Sequence, residues 1–140
     1  MADQSIPRGI IDTSVVIDLE HVASADLPAE LAVSAVTLAE LAAGPHATTD
    51  SAERARRQDR LQRVEATFEP LPVDANVARA YGRIYAAVST AGRKARGARP
   101  LDLLIAATAL ASGLPLYTRN PDDFCGVESL VDIVIIEPAG

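Results

Sequence analysis

The stretch Ala98–Phe124, ARPLDLLIAATALASGLPLYTRNPDDF, decides how the rest of the chain is read. It spells a helix, a tight turn, a short strand and an acidic loop. Pro100 suits the first position of a helix, where a missing N–H costs nothing. Leu101, Leu104, Ile105 and Thr108 recur at helical spacing, and Gly113 with Pro115 ends the run. Asp102 falls on the same face as Ile105, Ala106 and Ala109, at the mouth of an apolar stripe. Leu116 and Tyr117 form a short strand that leaves through Thr118, Arg119 and Asn120 into Asp122 and Asp123. Acids therefore flank one helix–strand unit, and two more, Asp12 and Glu40, occupy comparable places upstream.

Working outward, the chain alternates strand and helix signals. Gly9-Ile10-Ile11 is an apolar run ending in Asp12, followed by Thr13-Ser14 and a short helix carrying Val15, Val16 and Leu19. Leu31, Val33 and Ala35 alternate as a second strand. Helical spacing from Thr37 to Ala43 (Leu38, Leu41, Ala42) stops at Gly44-Pro45. Asp50 or Ser51 caps a long charged helix to about Thr67, with Leu61, Val64 and Phe68 inward. Asp74 caps another, with Val77, Ala80, Tyr81, Ile84, Tyr85 and Val88 on one face. Val131–Ile136 reads as a buried terminal strand. Strands separated by helices predict an α/β protein, a sandwich on a mainly parallel sheet. Without a repeat or composition break, residues 1–140 read as one domain.

Composition narrows the function. Hydrophobic residues make up 49% but aromatics only 4%, so the core is built from Ala, Leu, Val and Ile. One cysteine, Cys125, excludes a disulfide framework and any cysteine zinc site. No apolar run reaches membrane-spanning length and the N-terminus has no signal-like segment, so a cytoplasmic protein is expected. The net charge of −6 opposes indiscriminate binding to nucleic acid. Its basic residues are nonetheless grouped. Arg54, Arg56, Arg57, Arg60 and Arg63 interleave with Glu53 and Asp59 as on a salt-bridged helix surface. Arg93, Lys94, Arg96 and Arg99 precede Asp102 as a basic rim suited to phosphates.

In parallel sheets ligands bind beyond the carboxyl ends of the strands. That topology can collect Asp12, Glu40, Asp102 and Asp122 or Asp123 at one edge. Two carboxylates about 4 Å apart repel by ~4 kcal/mol at an effective dielectric near 20. Such a group needs raised pKa values or a cation. With a single cysteine in the chain, and His21 and His46 distant in sequence, an all-oxygen set suits Mg²⁺ or Mn²⁺.

Four segments in order, GIIDTSVVIDL, SAVTLAEL, RPLDLLIAATAL and LYTRNPDDF, resemble the PIN-domain family, and within it the VapC toxins of type II toxin–antitoxin modules. The resemblance covers nearly the whole chain. It implies a three-layer α/β/α sandwich, Mg²⁺- or Mn²⁺-dependent endoribonuclease activity on an RNA substrate, a VapB-like antitoxin partner and a homodimer. Carried over by position, Asp12, Glu40, Asp102 and Asp123 match the family's acids, with Asp122 an adjacent competitor for the fourth. Thr13, Ser14 and Asn120 match supporting polar positions.

Taken singly, each acid has a plainer reading. Asp12 and Asp102 could serve a helix start, Glu40 a solvated face, and Asp122-Asp123 a turn. Their joint order carries the functional reading. A metal-dependent phosphatase or phospho-receiver would also place an acid after the first strand, but both usually need a lysine near the later strands. Lys94, in a loop, is the sole lysine. A non-catalytic interaction module would need no acidic quartet.

Overall fold

Ile10 and Ile11 are neighbours in β1 (Arg8–Ile11), and both are fully buried, in different clusters. Side chains alternate across a strand, so one isoleucine enters each face of the sheet and both faces must be covered. In the computed structural model, which describes residues 7–91 and 100–137, helices supply that cover. After β1 come α1 (Thr13–Ile17), β2 (Glu30–Ala32), α2 (Ala35–Ala43), α3 (Ser51–Thr67), α4 (Ala75–Thr90), α5 (Pro100–Ser112), β3 (Leu116–Thr118) and β4 (Ile133–Ile135). The strands run parallel in the order β2-β1-β3-β4, with Gly9 opposite Leu31, Ile10 opposite Leu116 and Tyr117 opposite Val134.

On one side, Ile10, Ala32 and Leu116 pack with Val77, Ala80, Ile84 and Val88 of α4 and with much of α5. On the other, Ile11 and Val33 pack with Val15 and Val16 of α1, Leu41 of α2, and Leu61 and Val64 of α3. This is the expected three-layer arrangement. All strands point the same way, so their carboxyl ends share one edge.

Local chemistry explains the helix boundaries. Asp50 Oδ2 accepts from Glu53 N (2.9 Å) and Asp74 Oδ1 from Val77 N (3.0 Å), so both caps read from the sequence form. Gly113, at φ 66°, takes the left-handed turn that ends α5, and Leu114 N then donates to Ala109 O at 3.0 Å.

Three expectations are corrected. The second strand ends at Ala32, because the Ser34 hydroxyl accepts from Val36 N and starts α2 at Ala35. The helix α5 is buried nearly all round, with Leu103 inside and Leu101 outside, so its packing is broader than one stripe. The strand β4 lies at the sheet edge with Ile135 52% exposed, and Tyr85 of α4 is 55% exposed. An edge strand covered unevenly leaves one face open, whatever its apolar content.

Open space surrounds the Cβ position of Gly113, so a substitution there meets only the backbone cost of its positive φ. Gly113→Ala is expected to destabilise by about 1 kcal/mol. Thermal denaturation checks it.

Candidate active site

The site begins with a carboxylate in the wrong solvent. Asp12 follows β1 directly and is only 4% exposed, held there as the N-cap of α1. Oδ1 accepts from Val15 N (3.1 Å) and Ser14 Oγ (2.6 Å), while the Thr118 hydroxyl, at the end of β3, donates to Oδ2. Ser14 Oγ also accepts from Arg119 N (3.1 Å), and Thr118 Oγ1 from Asn120 N (2.9 Å). The loops leaving β1 and β3 are thereby locked together, and the Arg119–Asp18 ion pair fastens them again.

The other acids arrive from separate elements. Glu40, on α2, is reached by the Thr13 hydroxyl, which donates to Oε1 at 2.7 Å; Thr37 Oγ1 lies 3.1 Å from the same hydroxyl. Asp102 sits in the first turn of α5 and is 7% exposed. Asp123 lies on the short turn Pro121–Phe124 after β3. A cleft of about 410 Å³ is lined by Asp12, Thr13, Ser14, Glu40, Asp102, Asn120 and Asp123, with Gly44, Glu53, Arg57 and Arg60 on its α2–α3 side. The structure therefore brings together all four acids first named from the sequence.

Asp122 is a correction. It is exposed and absent from the cleft wall, because consecutive residues of a 3₁₀ turn point about 120° apart. Arg93, Lys94, Arg96 and Arg99 lie outside the described residues. Sequence reading passed over Thr37 and Thr118, although a polar residue ending a central parallel strand is itself a signal. It also passed over Glu53, Arg57 and Arg60, whose i, i+4, i+7 spacing puts them on one helical face.

Burial raises the Asp12 pKa above its ordinary 3.8, and the nearby Asp123 charge adds to the rise. The hydrogen bonds from Ser14, Thr118 and Val15 oppose it. A carboxylate so placed gains from a cation. Three donors occupy three of its roughly four acceptor positions and leave room for one further bond. Among the described residues, no three His, Cys, Asp or Glu side chains are gathered closely enough to hold a metal ion between them. The acids of the cleft instead fit a hard divalent ion that keeps several of its waters and takes one or two carboxylates directly.

A PIN-domain family profile matches residues 10–129. The chain is 37% identical over 131 residues to "Ribonuclease VapC5" of Mycobacterium tuberculosis, covering 91% of this chain and 93% of that protein. It is 39% identical over 110 residues to "Ribonuclease VapC8" of the same species, covering 78% of this chain and 96% of that one. The structure resembles the crystal structure of VapBC-5, a member of the VapBC family of toxin–antitoxin systems from Mycobacterium tuberculosis, with a TM-score of 0.79 at 37% identity, over 93% of this chain and 98% of that one.

The raised pKa of Asp12 fixes the sign of a pH effect. An acid whose folded pKa exceeds its unfolded value favours folding at low pH, and that contribution is lost as pH rises from 3.8 through the folded value. At pH 7 in EDTA the ionised group therefore weighs against folding. Asp12→Asn is expected to melt at or above the wild type there. Divalent cation at about ten times its Kd should raise wild-type Tm by about 3–6 °C, and the variant's by less. Differential scanning fluorimetry checks both.

Proposed function

The chain belongs to the PIN-domain family, and from that premise we propose that it is a single PIN-like domain, residues 1–140, acting as a Mg²⁺-dependent endoribonuclease and the toxin of a toxin–antitoxin pair. The observation that carries this reading is the convergence of Asp12, Glu40, Asp102 and Asp123, from four separate segments, on one cleft. The Asp123 charge makes the buried Asp12 harder to ionise, so a cation between them is favoured.

In this reading Asp12, Glu40, Asp102 and Asp123 hold Mg²⁺, or Mn²⁺ in its place, directly or through water. When bound, such an ion supplies an activated water and offsets charge on the departing oxygen of an RNA phosphodiester. The chain's own groups do the positioning. Val15 N, Ser14 and Thr118 fix both oxygens of Asp12, so its remaining lone pair keeps one direction. Thr13 orients Glu40 in the same way. Asn120 offers a neutral polar group at the rim.

The partner reading is a VapB-like antitoxin. Its proposed seat is a groove of about 360 Å³ between α1 and α3, lined by Val16, Ile17, Leu19, Leu31, Val64 and Phe68. Val16 lies largely in the core beneath this groove, and Ile17 is its most exposed large apolar side chain. Among the described residues no helix is long and apolar enough to cross a membrane. We place the pair in the cytoplasm, where its substrate lies.

Wild-type protein is expected to cleave a restricted set of RNAs in Mg²⁺ and to stop in EDTA. Asp102→Asn should lower cleavage at least about 10²-fold with an unchanged circular dichroism spectrum. A folded variant that cuts at the wild-type rate would overturn the reading. The same preparation should run as a homodimer by light scattering at micromolar concentration, and a monodisperse monomer would refute that assignment.

A further inference from the structure

We propose that Arg60 of α3 is a phosphate-binding residue of the cleft, engaging the RNA backbone beside the scissile bond. The inference rests on the ribonuclease reading and adds a substrate contact to it. Five arginines crowd α3, and four of them already have work. Arg54 donates to the Pro45 and Thr48 carbonyls, at 3.0 and 2.9 Å. Arg56 pairs with Glu53, and Arg63 with Asp59. Arg57 reaches the cleft but is clamped, donating to Glu53 Oε2 (2.8 Å) and Gly44 O (2.9 Å). Arg60 is the exception. It is half-buried in the cleft wall and, among the described residues, makes no ion pair and no hydrogen bond.

A guanidinium that gives up water without gaining a partner is placed for something that arrives later. The cleft's acids are not that partner, since no ion pair joins them to Arg60 across the shared space. An incoming phosphodiester fits the remaining requirement. One phosphate belongs beside the carboxylates, where a cation separates like charges. Its neighbour along the strand needs a donor outside that ring. Arginine offers planar, paired N–H groups matched to phosphate oxygens. The clamp on Arg57 supports this, because its guanidinium is already engaged by Glu53 and Gly44 O and Arg60 is left to meet the anion.

The test uses the full chain and a short fluorescent single-stranded RNA. Binding is read by anisotropy in Ca²⁺ over a salt series, and cleavage in Mg²⁺. Arg60→Ala should weaken binding about tenfold or more. It should lower the slope of log K against log salt by about 0.7, the share of one phosphate contact on a single strand. KM should rise in step while kcat stays close to wild type, and Arg60→Lys should recover part of the loss. Arg79→Ala, at an exposed position of α4, should match wild type in every readout. A cleaving wild type with unchanged KM and salt slope in Arg60→Ala would overturn this proposal alone. So would a variant that binds Mg²⁺ more tightly with RNA affinity unchanged, since Arg60 would then merely neutralise the acids. RNA binding that depends on Arg60 in a protein that never cleaves would keep the phosphate contact and sink the ribonuclease reading. A wild type that does not bind the RNA overturns both.

Discussion

The burial of Asp12 is the constraint on which the rest of the structure depends. An ionised carboxylate removed from water is costly unless its oxygens are fully engaged. Three donors meet most of that demand, two from the first turn of α1 (Val15 N and the Ser14 hydroxyl) and one from Thr118 at the far end of β3. One residue thus ends a strand, caps a helix and stitches two central strands together. The same bonds that make its burial tolerable also hold it at the mouth of the cleft. Stability and placement are here one arrangement.

The second requirement is room for the helices to approach. Ala106, Ala107 and Ala109 are fully buried in α5, and Ala80 is buried on the facing helix α4. Small side chains let these helices lie close to one another and to Ile10 and Leu116 of the sheet. Close approach carries the first turn of α5, and with it Asp102, up to the level of the strand ends. On the opposite face the larger residues Leu61 and Val64 set α3 against Val16 and Ile11. The α2–α3 wall of the cleft and the apolar groove both lie on that side.

What the sequence made legible was whatever local chemistry dictates. The caps at Asp50 and Asp74, the stop at Gly113 and the inward faces of α3 and α4 each follow from neighbours a few positions away. The four acids were legible for a different reason: parallel topology assigns one edge to residues following the strands. Tertiary context governed the rest. Nothing local distinguishes Asp122 from Asp123 until the turn around Phe124 gives each a direction. Arg60 looks like Arg56 or Arg63 in a run of alternating charges, and only the fold sets it, without an ion pair among the described residues, in the cleft wall. Val131–Ile136 is apolar throughout, yet its position at the sheet edge, not its composition, leaves Ile135 half uncovered.

The order of the strands has a consequence for how the protein comes into being. β1 sits at the centre of the sheet between β2 and β3, and β3 begins only at Leu116. Asp12 and the Thr118 hydroxyl that steadies it stand 106 positions apart. A chain emerging from the ribosome carries Asp12 and Glu40 long before it carries Thr118 or Asp123. Until β3 slots in beside β1, Asp12 has no support from the far strand and the cleft has no fourth wall. The site is therefore assembled only once β3 has been made, and a fragment cut short before β3 lacks both Thr118 and Asp123.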